Sequence, residues 1–571
     1  AKHVTEMGFT AVEFLPLSQY PSDQSWGYQC ASGFYAVDSR LGTPDDFRYL
    51  VDVLHRHRIA VFMDFVGAHF AKDPWGLVRY SGAAQFEYEG ELGELPGWGT
   101  ARFNYGKPEV RSYLFGAAEH WIDEFHIDGL RLDAVAAMVY RSFGREDDGD
   151  AILAGRGVVN EEGVRFLRDL CARVRERRSG VLLFAEESTN FKWVTARPSI
   201  EGSERSKVDA LDLGFHLKWN MGFTYDTLGF LGTTFSDRPR SETFGWKKLA
   251  WYLAYAFNER WVLPLSHDNA HGQGWLEQMT AAGEADAASR FAHLRMLLAY
   301  IIGMPGRPLF FMGTEIAAGP WSYSTPLDLE GAQADPQRQS LQAWMARLLR
   351  MYRDLPALHR RDDEEVGFEW LDKDSSSRCI YAWRRRCKGS PDVIVVVNAS
   401  PTKASAYRVS IGKEAGRRWR CMAAASAEDG EPGAVVEAGF GAAYFEQDLA
   451  GCAAQFWVEE PAPEVIDGHV RVRVELKHST TTSGDLVRMV GAAAALGDWR
   501  ADAGKVLTTS AESFPVWGAE VDLPSGAGAV EFKFVTVRAD GSTVWEPIAG
   551  NRSVRIDEHG PRQIVAEFGR A

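Results

Sequence analysis

From about residue 1 to 355 the chain alternates two kinds of segment. Short apolar runs recur at TAVEFLP (10–16), IAVFMDFV (59–66), DGLRLDAV (128–135), VLLFAEE (181–187), LDLGFHLKW (211–219), WVLPLSHD (261–268) and RPLFFMG (307–313). Runs this short and this continuously apolar read as parallel strands buried on both faces. Between them lie segments of helical spacing, such as DDFRYLVDVLHRHR (45–58) and EVRSYLFGAAEHWIDEFH (109–126). The rhythm predicts the α/β class, and the strand count suits a TIM-type (β/α)8 barrel with its first strand missing. The opening AKHVTEMGFTAVEFLP starts at Ala1 without Met and reads as a helix end followed by a strand. It carries no signal or transit pattern and suggests a piece cut from a longer protein.

After about residue 359 the texture changes. FEWLD, CIYAWRRR, DVIVVVNAS and AYRVSIG are short, alternating, turn-bounded runs of the kind that form antiparallel strands. EEPAPE (459–464) reads as a linker. A third block, with VRVRVEL, DLVRMVG, WGAEVDL, VEFKFVTV and VRI, has the length and texture of a β-sandwich or open barrel. The expected domains are a barrel over 1–358, an all-β domain over 359–458, the linker, and a β-sandwich over 465–571.

Composition narrows the function classes. Hydrophobic residues make up 45% and charged residues 25%, so an ordinary globular chain is expected, and no apolar stretch is long enough to span a membrane. The net charge of −15 disfavours nucleic acid or an anionic membrane surface as partner and suits a neutral ligand. Six scattered cysteines without CxxC spacing do not form a disulfide or metal framework, which favours a reduced, intracellular protein.

Candidate chemistry collects where the strands end. In parallel barrels the C-terminal strand tips carry the site. Here they hold Asp64, His69, Arg131, Asp133, Glu186, Glu187, His267 and Asp268. One acid at a strand tip often caps the next helix; acids on four tips, two of them with a histidine, are harder to explain that way. A retaining glycosidase needs two carboxyl groups about 5–5.5 Å apart, one to attack the anomeric carbon and one to protonate the leaving oxygen. The proton donor needs a raised pKa, which a neighbouring carboxylate can supply. Glu187 adjoins Glu186, but neighbours on a strand face opposite ways, so only one of the two should face the site. Arg131 and Asp133 share a face, and the guanidinium can hold the acid ionised, as a nucleophile requires. His69 and His267 could bond sugar hydroxyls. The scatter of these histidines argues against a metal site, and no phosphate loop or GxSxG elbow occurs.

DFVGAHF (64–70), DGLRLDAV (128–135), AEES (185–188) and LSHD (265–268) resemble the four ordered motifs of the α-amylase clan, glycoside hydrolase family 13. SWGYQ (25–29), RLGTPDDFRYLVDVLH (40–55), FNYGKPEVRSYL (103–114), GFHLKWNMGFTYDTL (214–228) and FMGTE (311–315) resemble the 1,4-α-glucan branching enzymes within it. The resemblance covers about residues 1–455. It implies that Asp133 is the nucleophile, Glu186 the general acid/base and Asp268 the third carboxylate, which grips sugar hydroxyls. It further implies that Arg131 orients Asp133, that His69 and His267 hold the same sugar, that Tyr28 stacks on it and that Asp64 supports the site. No cofactor and no metal is implied. An α-1,4 bond would be cut to a glycosyl ester on Asp133, and a glucan 6-hydroxyl would then attack that ester.

Two segments depart from the family pattern. HDNAHGQG (267–274) replaces HDEVVHGK, and AILAGRGVVNEEG (151–163) replaces a Gly-Gly-Arg-Glu-Asn-like stretch. Residues just after Asp268 line the acceptor side in the family. A hydrolytic amylase or debranching relative and an inactive glucan-binding protein therefore stay open as alternatives.

The last block resembles a starch-binding module, carbohydrate-binding module family 20, in MVGAAAALGDWRADAGKVLTT (489–509), FPVWGAEVDLP (514–524), VEFKFV (530–535) and VWEPIAGNRSV (544–554). The resemblance makes Trp499 and Trp545 a sugar-stacking platform, gives Lys533 and Asn551 hydrogen bonds to sugar, and puts Trp517 in the core. The partner implied is an α-glucan polymer such as starch, glycogen or amylose. Cytoplasm or plastid is the expected compartment, and the oligomeric state stays open.

Overall fold

The computed structural model describes residues 1–23, 25–144, 149–195, 212–241, 247–279, 286–375, 378–411, 418–425, 435–437, 444–460, 465–466, 468–482, 484–510, 513–524, 528–556 and 563–570. It divides into two compact units, residues 1–459 and 460–571. Residues 461–464 of the anticipated linker, and Leu211 of the run at 211–219, lie outside the described residues.

The first unit is built on seven parallel strands: β1 (Ala11–Phe14), β2 (Ala60–Phe65), β3 (Gly129–Leu132), β4 (Leu182–Ala185), β5 (Leu217–Trp219), β6 (Trp261–Leu265) and β7 (Arg307–Phe310). They pair in strict chain order, each parallel to the next, as a curled TIM-like sheet. Strand parity sorts the side chains. Val12, Phe14, Val61, Met63, Leu130 and Leu183 face outward into a helix-covered core. Phe62, Phe184, Trp219 and Val262 face inward and pack on one another. The outer core is covered by α1 (Pro44–Arg56), α2 (Pro108–Phe125) and α3 (Glu161–Arg177). Local sequence sets these helices. In α1, Pro44 takes the first turn, Thr43 and Asp46 form a reciprocal capping box, and Phe47, Val51 and Leu54 recur on the buried stripe.

The second core joins barrel and following sheet. Helix α4 (Ala287–Gly303) is buried almost all round from Leu294 onward. One side meets the barrel, and the other meets an antiparallel sheet with strands at Phe368–Ser375, Ile380–Arg385, Val393–Asn398, Ala453–Glu460, Arg418–Ala424 and Val435–Glu437 in that order. Contact there is close enough to require glycine: a Cβ on Gly303 would lie 2.9 Å from Trp383 Cζ2. The Trp383 indole donates to the Gly303 carbonyl at 2.9 Å. This shared core is why residues 1–459 form one unit.

The second unit is a β-sandwich. His469–Lys477 pairs with Val516–Pro524 and Gln563–Glu567, and Gly528–Val537 pairs with Leu486–Gly491, Thr543–Trp545 and Arg552–Ile556. Alternation is clean: Val470, Val472, Val474 and Leu476 point into the core while their neighbours face out. Trp517 is a core residue, 9% exposed, with its indole donating to the His478 carbonyl at 3.2 Å.

Candidate functional site

The barrel residues anticipated from the motifs converge at the C-terminal ends of β2, β3, β4 and β6. Arg131 is their centre. It is 2% exposed, and its Nη1 donates to Asp64 Oδ2 at 2.9 Å and to Asp133 Oδ1 at 2.8 Å. The guanidinium lies over the Trp219 ring, 4.2 Å from its centroid. Tyr28 donates its hydroxyl to Asp64 Oδ2, and its ring stacks on His267 at 5.5 Å. His69 Nε2 lies 4.0 Å from Asp133 Oδ2, and His267 Nε2 lies 3.4 Å from Asp268 Oδ1.

Asp133 and Glu186 each follow the last residue of their strand, as the sequence pattern predicts. Ala134, immediately after Asp133, holds a left-handed φ of 50°, and its N–H donates to Glu186 Oε2 at 2.8 Å. A non-glycine residue in that region is strained. Asp268 differs from its expected place. It stands not on β6 but in a one-turn helix, His267–Ala270, that the Ser266 side chain caps. The chain can leave the strand there because Ser266 satisfies the freed N–H groups.

The electrostatics also depart from expectation. Burial pushes the Asp133 carboxyl up, against the opposing pull of Arg131 and with a further push from Asp268. Arg131 therefore limits the rise without reversing it. Burial likewise raises Glu186, with Asp133 and Asp268 adding to it and Arg131 opposing. Glu187 plays no part at the site. It points to the other face, where its carboxylate pairs with Lys218 at 2.6 Å and accepts from the Thr189 amide. Burial lowers His69 and His267 to about 4, so both are neutral at pH 7 and can donate to or accept from a hydroxyl.

Three features were not read from the motifs. Trp98, 40% exposed, lies over His69 with ring centroids 4.9 Å apart. Trp26 meets His267, His271 and Trp321 at 5.5, 4.7 and 5.3 Å. Aromatic faces thus stand beside both site histidines, the usual apparatus for stacking on sugar rings. Asn269, in the altered segment, uses its Oδ1 to accept from the Ser266 amide at 2.9 Å. Third, Glu13 lies mid-strand on β1 with Phe62 as its register partner, so it shares the inner face with Asp64. An acid between Val12 and Phe14, which both pack on the outer core, was the available signal. Among the described residues, no group of three or more His, Cys, Asp or Glu side chains is arranged to hold a metal ion.

In the β-sandwich, the four predicted binding residues gather around one stretch of strand. Trp499 donates its amide to the Gly491 carbonyl, and Gly491 pairs with Phe532. Trp545 pairs with Val535, and Asn551 precedes Arg552, which also pairs with Phe532. Lys533 therefore lies between them, its Nζ donating to the Ile548 carbonyl at 3.3 Å. Asn551 donates to Glu531 at 3.0 Å. Gly497, Asp498 and Trp499 all have positive φ, a tight coil that lifts Trp499 out of the sheet. Trp545 is 40% exposed.

Residues 2–78 and 98–376 match the family described as Alpha amylase, catalytic domain, and residues 469–564 match the Starch binding domain. The chain is 40% identical over 430 residues to a 1,4-alpha-glucan branching enzyme of Novosphingobium aromaticivorans, covering 75% of this chain and 57% of that protein. It is 40% identical over 419 residues to a 1,4-alpha-glucan branching enzyme of Methylococcus capsulatus, covering 73% and 54%. The chain thus spans little more than half the length of these curated relatives. An alpha-amylase from Geobacillus thermoleovorans, solved with acarbose, superposes with a TM-score of 0.57 at 18% identity, over 81% of this chain and 90% of that one. A gamma-CGTase from an alkalophilic Bacillus clarkii gives 0.53 at 16%, over 100% and 91%. At such identities the likeness is one of fold.

Proposed function

Because the chain belongs to the alpha-amylase family, we propose that it is a 1,4-α-glucan branching enzyme working by double displacement. Asp133 attacks the anomeric carbon of an α-1,4-linked glucose while Glu186 gives its proton to the departing 4-oxygen. The product is a glycosyl ester on Asp133 and a shortened glucan. Glu186, now ionised, takes the proton from a 6-hydroxyl of a second glucan as that oxygen displaces Asp133. An α-1,6 branch forms, and both acids return to their starting states.

The observation that carries cleavage is the joint placement of Asp133 and Glu186 around Arg131, with burial raising the acid that must hold a proton. The roughly 40% identity to branching enzymes along the barrel supports transfer over hydrolysis. Asp268, Tyr28, His69 and His267 would grip the sugar at the cleavage point, and Asp64 would hold Arg131 in place. In the C-terminal unit, Trp499 and Trp545 would stack on glucose rings, with Lys533 and Asn551 bonding hydroxyls, so that the enzyme stays on an α-glucan polymer. Hydrolysis is the second reading, favoured by one observation. Asn269 turns its side chain back to Ser266, leaving that position after Asp268 without the family's acid.

One assay separates the two. Amylose incubated with the full chain should gain α-1,6 linkages, counted as new short chains after enzymatic debranching. Reducing ends released without new branches would overturn branching in favour of hydrolysis.

A further inference from the structure

Four carboxyl groups, Glu13, Asp64, Asp133 and Glu186, surround the single guanidinium of Arg131. Asp64 is 1% exposed and spends one oxygen twice: Oδ2 accepts from Tyr28 and from Arg131 Nη1. Its other oxygen, Oδ1, is buried without a hydrogen-bond partner. A buried carboxylate oxygen left bare is costly. Glu13 stands on the adjacent strand, one inward-facing position earlier, with a side chain long enough to lean along the strand toward Asp64. The charged groups that act on Glu13 are Asp64 on β2 and Arg131 on β3. Arg131 is already committed to Asp64 and Asp133.

We propose that Glu13 is a positioning residue whose carboxyl stays protonated and donates to Asp64 Oδ1, fixing the Asp64–Arg131 pair that orients Asp133. The inference rests on the functional reading above and adds a residue to it. One cation cannot stabilise four carboxylates gathered this closely, one of them fully buried, so protons must be shared out. Asp133 must be ionised to attack, and Glu186 must be protonated to act as acid. Burial raises Asp64 to about 7, against the pull of Arg131 and of the Tyr28 hydroxyl, so it gives up its proton before Glu13 does. Glu13 is left to take the remaining proton, and burial together with the charge of Asp64 raises it to about 8. Loss of that proton would set two carboxylates face to face and pull Asp64 away from Arg131. Activity should therefore fall on the alkaline side through Glu13 as well as through Glu186.

The test compares the full chain with Glu13→Gln and Glu13→Ala, each first shown to retain starch binding and a cooperative thermal transition. Glutamine keeps a donor at every pH. It should hold kcat on soluble glucan within about threefold at pH 7 and move the alkaline limb up by about half a unit or more. Alanine leaves Asp64 Oδ1 bare and should lower kcat about tenfold with little change in KM. An infrared difference spectrum, parent minus Glu13→Gln at pH 7, should show a carboxylic C=O band that shrinks as pH rises past 8. Equal loss in both variants, an unmoved alkaline limb, an unaffected Ala variant or no such band would overturn the proposal. Should the parent turn over no α-glucan, the functional reading falls, while the infrared band still decides the protonation of Glu13.

Discussion

Replacing Arg131 with Met tests how the site keeps its nucleophile usable. Met preserves much of the volume and the contact with Trp219, and removes only the charge and its hydrogen bonds to Asp64 and Asp133. An opposite charge within reach lowers a carboxyl by about 1–3 units. Arg131 opposes the rise that burial imposes on Asp133, so its loss lets Asp133 climb by that amount. Each added unit costs about tenfold in ionised fraction once the pKa exceeds the working pH. The expected fall in kcat/KM at pH 7 is thus at most about 1,000-fold, the three-unit limit, and it is larger at pH 6 than at pH 7. The sign is definite: a raised acid ionises only at higher pH, so the deficit should narrow as pH rises from 6 to 8.5. At still higher pH Glu186, which burial raises, also loses its proton and both enzymes decline. The buried carboxylates also lose their cation, a cost of about 3–5 kcal/mol that protonation partly offsets. The assay is kcat/KM on a soluble glucan across that pH range, with near-ultraviolet circular dichroism to confirm native packing. A folded variant that matches the parent at pH 6, or one with the same deficit at every pH, would refute the reasoning.

Glu186→Gln should cut turnover of glucan by about 10²–10⁴. It should keep formation of the Asp133 ester from a glucosyl fluoride, whose leaving group needs no proton; equal losses on both substrates would count against Glu186 as acid. Trp545→Ala should weaken retention on granular starch by about 2 kcal/mol, or thirtyfold, while turnover of short oligosaccharides stays within twofold, measured by sedimentation and steady-state kinetics. Gly303→Ala drives a methyl into Trp383 and should cost about 1–3 kcal/mol, read as a lower urea midpoint for the first unit with starch binding unchanged.

The sequence by itself determined the sheet and most of the site, because both are periodic and local. Continuous apolar runs marked the seven parallel strands, and strand tips marked where acids would meet. Period-two alternation decided that only one of Glu186 and Glu187 would face the site, and the same alternation runs through His469–Lys477, where Val470, Val472, Val474 and Leu476 line the sandwich core. Tertiary structure decided what depends on distance through space. Asp133 shares a strand end with Arg131, yet the desolvation of its carboxyl in the folded site outweighs that cation, and no count of neighbours along the chain gives a desolvation energy. Asp268 left its strand for a capped turn because Ser266 could close the N-terminus there. Trp98 reached His69 from a distant loop, and Gly303 fused the barrel and the following sheet into one unit by a close approach that leaves no periodic trace. Glu13 is the sharpest case. Its identity was visible mid-strand, but only the pairing of β1 with β2 put it on the inner face beside an Asp64 oxygen that lacks a proton donor.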